Sequence, residues 1–226
     1  MTRHSPQLPQ LRRRALVAFA TFASLFGCAF AVAQDAPTPP TPPLPRVLIE
    51  TSVGTMTVEA DVVHAPVTAG DFLKYVAQKR LDGVVFYRVV KVQDQFGFVQ
   101  FGPQGDPKRV LPPIKHEPTT QTGLSHTDGV LSVARLEPGT ARGEFTIMVG
   151  DQRRGLDAGN GAPADNLGYA AFGRVVEGRE VLVRILDTPV DPEKNSRGAF
   201  KGEMPGDPVR IIRAVRLATP ASAPAR

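Results

Sequence analysis

Glycine and proline cut this chain into short pieces: 21 glycines and 22 prolines fall among its 226 residues. Proline fixes φ and removes a backbone donor, and glycine weakens any helix interior. Punctuation this dense excludes a helical bundle or a coiled coil and leaves folds built from short elements. The hydrophobic share of 42% is ordinary for a globular protein, so the chain is not wholly disordered.

Most of the pieces read as strands. Residues 46–61 hold two alternating runs separated by Ser52-Val53-Gly54, which predicts a hairpin. Ala65-Pro66-Val67-Thr68 then opens a helix, with Thr68 as its expected cap and Asp71 three residues on. Ala69, Phe72, Leu73 and Val76 form one apolar stripe along that helix. Further strands are expected at 84–90, 97–101, 130–134, 144–149, 170–176 and 209–217. A second helix fits 179–186, with Val181, Leu182 and Ile185 facing inward. About seven short strands, two helices and many glycine turns predict a mainly β fold: a closed antiparallel β-barrel capped by two α-helices. The polar, glycine-rich stretch 151–168 reads as a surface loop of the kind that often carries function.

The ends of the chain read differently. Residues 1–33 contain Arg3, Arg12, Arg13 and Arg14 and no acid. An apolar run over 15–33 follows and ends in Ala31-Val32-Ala33, the pattern of a cleavable secretory signal. Cleavage after Ala33 removes four arginines, so most of the formal charge of +5 belongs to the signal. Nothing that remains favours nucleic-acid capture. The expected location is the periplasm or the medium, without a stable membrane span after cleavage. Two alternatives stay open. The run can be an uncleaved anchor, or Leu25-Phe26-Gly27-Cys28 can be a lipoprotein box with Cys28 acylated. Cys28 is the sole cysteine, so cleavage after Ala33 leaves no thiol chemistry. Residues 34–45 are a proline-rich spacer and 218–226 a disordered tail, which places the folded domain at 46–217.

Standard catalytic arrangements are missing. His64, His116 and His126 have no metal-ligand spacing, and hydrogen-bonding roles are expected for them. There is no Gly-x-Ser-x-Gly elbow and no phosphate-binding Gly-x-x-x-x-Gly-Lys loop. What stands out is Arg88, inside the apolar strand 84–90. Alternation puts it on a face with Phe86 and Val90. There it either reaches solvent over the sheet or lies in a pocket with a partner. Gln100 interrupts Phe98-Val99-Gln100-Phe101 in the same way and shares a face with Phe98. An arginine and a glutamine framed by phenylalanines make an apolar cup with a few polar pointers.

Six segments together resemble one family. Leu81-Asp82-Gly83-Val84-Val85-Phe86-Tyr87-Arg88-Val89-Val90 is similar to the Asp-Gly-x-x-Phe-His-Arg-Val strand of cyclophilins, the peptidyl-prolyl cis/trans isomerases. Ala65-Pro66-Val67-Thr68 with Phe72 and Tyr75 resembles their first helix, and Phe98-Val99-Gln100-Phe101-Gly102 their glutamine segment. Gly129-Val130-Leu131-Ser132-Val133-Ala134-Arg135 resembles Gly-x-Leu-Ser-Met-Ala. Gly143-Glu144-Phe145-Thr146-Ile147 resembles Ser-Gln-Phe-Phe-Ile. Ala171-Phe172-Gly173-Arg174-Val175-Val176-Glu177-Gly178 resembles Val-Phe-Gly-x-Val-x-x-Gly. The segments follow the family's order and span nearly all of 46–217.

The resemblance implies a barrel of about eight strands, proline-containing polypeptides as substrates, and neither metal nor cofactor. It implies Arg88 and Gln100 as the catalytic pair. It places Phe86, Phe98, Ala134, Arg135, Phe145, Leu156 and Tyr169 around the substrate. A monomer is expected. The chain also departs from the pattern. Tyr87 replaces a histidine, Gly97 and Thr146 stand where aromatics are usual, and Tyr169 replaces a pocket histidine. Gly155 replaces the expected tryptophan, and the chain contains no Trp. The proline pocket is thus expected to be partly emptied, with loop 151–168 refilling or covering it. Two competing readings follow: a non-catalytic peptide-binding or chaperone-like relative, and an unrelated barrel with a ligand-filled lumen.

Overall fold

The computed structural model describes residues 43–161, 163–194 and 199–218. The export signal, Cys28, the first part of the spacer and the tail from 219 onward lie outside the described residues.

Eight strands form one antiparallel sheet in the order β3-β4-β6-β5-β7-β2-β1-β8. They are β1 (Arg46–Thr51), β2 (Gly54–Ala60), β3 (Phe86–Gln93), β4 (Phe96–Phe101), β5 (Val130–Val133), β6 (Phe145–Val149), β7 (Ala170–Glu177) and β8 (Ile211–Arg216). The expected hairpin is β1–β2, paired from Arg46↔Glu59 to Thr51↔Gly54. The outermost strands of the order meet. Val85 bridges Arg210, Phe86 N donates to the Val209 carbonyl, and Ile211 N to that of Val84, each at 2.8 Å. The curled sheet therefore closes on itself.

Alternation fills the interior. Val47, Ile49, Val58, Val99, Phe101, Leu131, Phe145, Ile147 and Ile211 are all fully buried. Helix α1 (Pro66–Ala77) packs on β2, β7 and β8 and contributes Phe72 and Tyr75. Phe72 meets Phe145 edge-on at 5.2 Å, and Tyr75 meets the same ring at 5.5 Å. This is a packed core, so a ligand-filled lumen is excluded. The second long helix, Arg179–Leu186, has the expected bounds and buries Val181, Leu182 and Ile185. It is α4, because two single-turn helices precede it: α2 (Thr119–Thr122) and α3 (Arg153–Leu156). The sequence pattern did not signal either.

One expected cap is corrected. Thr68 lies inside α1, whose first residue is Pro66 and whose N-cap is Ala65, with no capping side chain. The free amides of the first turn are met from a distance. Glu117 accepts from Val67 N at 3.1 Å, Thr68 N at 2.8 Å and Thr68 Oγ1 at 2.7 Å. A carboxylate there also faces the positive end of the helix dipole. Asp71, the expected partner of that cap, is buried instead. Its Oδ2 has no hydrogen-bond partner among the described residues, and burial pushes its pKa up to about 6.

Candidate active site

The inward parity of β4 and β6 leaves their alternate residues on the outside of the barrel. Phe98 and Gln100 from β4 lie beside Thr146 and Met148 from β6, through the pairs Phe98↔Met148 and Gln100↔Thr146. Ser132 joins them from β5 through its pairing with Thr146. These residues floor a cavity of about 880 Å³.

Strand β3 brings Arg88 to this face by a bulge. Phe86 pairs with Phe101, but Arg88 already pairs with Gln100, so Tyr87 is an extra residue. The bulge resets the alternation. Phe86 stays in the core against Phe101, with ring centroids 5.0 Å apart, while Tyr87 and Arg88 both line the cavity. Arg88 thus shares no face with Phe86, contrary to simple alternation. Phe86 is fully buried and is removed from the expected substrate contacts. Phe145 is removed for a related reason: it has the inward parity of β6 and is fully buried among Phe72, Tyr75, Phe101 and Phe172.

The guanidinium of Arg88 is held on two edges. Nη1 donates to Gln100 Oε1 at 3.1 Å, and Nε donates to Glu203 Oε2 at 2.6 Å. Its Cζ lies 5.0 Å from the Phe98 ring centroid and 4.5 Å from that of Phe200. Beside it, Tyr87 Oη donates to Glu144 Oε2 at 2.7 Å. Burial raises the pKa of both groups. The tyrosine therefore stays protonated, and an arginine with N–H groups unbonded among the described residues sits over an apolar, partly enclosed surface.

The opposite wall holds Ala134, Arg135, Leu156 and Tyr169, all lining the cavity. Arg135 is a wall element rather than a free donor, because its guanidinium is bound to Asp165, Leu136 and Gly168. Loop 151–168 is fastened here. Asp157 Oδ1 lies 2.6 Å from His126 Nδ1, and His126 Nε2 lies 2.9 Å from Ser132 Oγ. His126 is thus a buried hydrogen-bonding residue whose pKa burial lowers. Of loop 151–168, Leu156 lines the cavity, and none of the described residues from 157 to 168 does.

The connection between α4 and β8 also lines the cavity, through Lys194, Phe200 and Met204. Gly97 is no lost aromatic, since a Cβ there would lie 1.9 Å from the Val90 carbonyl oxygen. Gly155 faces open space, with nothing within 4 Å of a Cβ.

Residues 46–215 match the family model for cyclophilin type peptidyl-prolyl cis-trans isomerase/CLD. The chain belongs to the cyclophilin-type isomerases. It is 34% identical to peptidyl-prolyl cis-trans isomerase A of Dickeya dadantii over 180 residues, which cover 77% of this chain and 85% of that protein. It is 35% identical to isomerase cyp18 of Streptomyces antibioticus, over 65% of this chain and 92% of the relative. A Cryptosporidium parvum cyclophilin structure superposes with a TM-score of 0.60 at 23% identity, covering 78% of this chain and 99% of that one. The same protein was crystallised in the presence of the dipeptide Ala-Pro.

The chain is therefore a peptidyl-prolyl cis-trans isomerase. In this isomerase, sequence reading missed Glu203, Phe200 and Met204. Their segment has neither helical nor strand periodicity. Its contact with Arg88 spans 115 positions, and no local signal reports it.

Proposed function

We propose that the isomerase lowers the X-Pro barrier by donating a hydrogen bond from Arg88 to the proline nitrogen of a twisted peptide bond. Rotation about a peptide bond meets a barrier of about 18–20 kcal/mol because the nitrogen lone pair is delocalised. At the twisted geometry the lone pair returns to nitrogen, which then accepts a hydrogen bond better than the planar amide does. A donor fixed at that point stabilises the transition state more than the ground state. No nucleophile is needed.

The observation that carries this reading is the fixation of Arg88 at Nε and Nη1 in the wall of the cavity, with no hydrogen bond from Nη2 among the described residues. Gln100 orients it, and Phe98 with Met148 and Leu156 offers an apolar seat for the proline ring. Ala134 lies on the strand end whose backbone holds the peptide, and Tyr169 bounds the seat. The deciding experiment is a coupled proline-isomerisation assay on the wild type and Arg88→Ala. Retained turnover in the variant overturns the mechanism.

The basic cluster, the apolar run and the Ala31-Val32-Ala33 site support export, with proline-containing segments of other exported proteins as substrates. N-terminal sequencing of the processed protein tests this. A start at Gln34 agrees with it, whereas a start at acylated Cys28 establishes a lipoprotein and an unprocessed chain overturns cleavage.

A further inference from the structure

Glu203 is tied to β3 twice. Its backbone carbonyl accepts from Val89 N at 2.7 Å, and its carboxylate accepts from Arg88 Nε at 2.6 Å. The first bond does not depend on the side chain, so the main chain sets where the carboxylate stands. The turn that presents it is itself fastened. Glu203 N donates to the Phe200 carbonyl at 3.0 Å, Asp191 N to that of Met204 at 2.9 Å, and Lys194 Nζ to that of Pro205 at 2.7 Å.

A guanidinium presents its N–H groups in one plane on a long, flexible stem. A bond to Gln100 alone leaves that plane free to swing about the contact. A second bond, from Nε, fixes the plane, and Nη2 makes no hydrogen bond among the described residues. The faces of Phe98 and Phe200 limit what tilt remains. The arginine and its carboxylate are both partly buried, with side-chain exposures of 23% and 30%.

We infer that Glu203 is a positioning residue for Arg88, presented by the 199–204 turn so that the reactive guanidinium keeps one orientation. This rests on Arg88 being the donor to the twisted amide. The benefit is geometric. An anion beside the guanidinium weakens its field at the substrate, so charge alone would oppose catalysis. A neutral acceptor of the same shape should therefore serve nearly as well.

The test measures kcat and KM separately, together with thermal unfolding, for Glu203→Ala, Glu203→Gln, Arg88→Ala and the Arg88→Ala/Glu203→Ala pair. Glu203→Ala should lower kcat about tenfold, the scale of one charge-assisted hydrogen bond, with KM and the unfolding midpoint little changed. Glu203→Gln should restore most of the loss. In the Arg88→Ala background, removing Glu203 should have no further effect. Normal kcat in Glu203→Ala overturns the role, as does a Gln variant no better than Ala or an equal loss without Arg88. If the Ala variant unfolds, Glu203→Met replaces it, since methionine keeps the volume without the acceptor. Full turnover in Arg88→Ala would sink the arginine mechanism itself. Loss there with normal Glu203 variants would sink the positioning role alone.

Discussion

Arg88 and Arg135 face one cavity from opposite walls, and each meets a carboxylate, but among the described residues only one has donors to spare. Arg135 makes five hydrogen bonds, to Gly168, Leu136 and Asp165, and its side chain is 1% exposed. That equals the full complement of N–H groups on a guanidinium. Among the described residues Arg88 makes two such bonds, and it keeps 23% exposure. An arginine whose donors are all occupied by its own fold is a fastener, and one with donors left over can act on a ligand. Residue type and pocket location do not separate the two; the number of unspent N–H groups does.

The largest effect expected from this contrast is on turnover. Arg88→Ala should lower kcat/KM by about 10²–10³, or about 2.7–4 kcal/mol of transition-state stabilisation, with the fold intact. Lysine at 88 should not rescue it, because a point charge cannot meet Gln100 and Glu203 on two edges. Arg135→Ala should show the reverse profile. It leaves the Gly168 carbonyl unpaired and should cost about 2–3 kcal/mol in denaturant unfolding. The molecules still folded should lose far less activity than Arg88→Ala does. A stable, inactive Arg135→Ala would break the comparison.

Asp71 supplies the missing case, a buried carboxylate with no arginine. Its pKa of about 6 lies above the unfolded value. The folded state therefore holds the proton more tightly, and the carboxyl's burial penalty appears as pH rises through about 6. Asp71→Asn should be more stable than wild type by about 1–2 kcal/mol at pH 8, with the gain fading toward pH 4. A gain that is equal at both pH values would show that charge is not the cause. The smallest effect is expected at Asp165, whose pKa Arg135 holds down at about 2. Asp165→Asn should lower stability less than Arg135→Ala at neutral pH. The stabilisation it removes is one the wild type loses as pH falls from the unfolded value through about 2. Thermal scans from neutral pH into acid should show the two proteins converging.

Much of the fold could be read in the sequence because its signals are local. The Ser52-Val53-Gly54 turn fixed the first hairpin, and the periodicity of Val181, Leu182 and Ile185 marked α4 with its bounds. Arg88 and Gln100 were visible because a polar residue inside an apolar strand needs a reason. The misreadings arose where a distant residue decides a local geometry. Thr68 has a capping residue's chemistry, but the helix starts earlier, at Pro66, and the free amides of Val67 and Thr68 are met by Glu117, 49 positions from Thr68. Phe86 has the alternation of a pocket residue until the bulge at Tyr87 shifts the phase. Phe145 lies next to cavity-lining Thr146 in sequence but on the opposite face of β6. Phe200 and Glu203 lie in a turn whose value comes only from what it touches.

That turn has a second consequence. Beyond Phe86, β3 would be the bare border of the sheet, and Val89 N finds its acceptor in Glu203 rather than in a neighbouring strand. An uncovered strand border is a template for another molecule's backbone. Cutting or loosening the connection between α4 and β8 should therefore harm more than catalysis. Molecules with that border open would be expected to pair edge to edge, and the first visible sign would be growth in particle size on standing at high concentration.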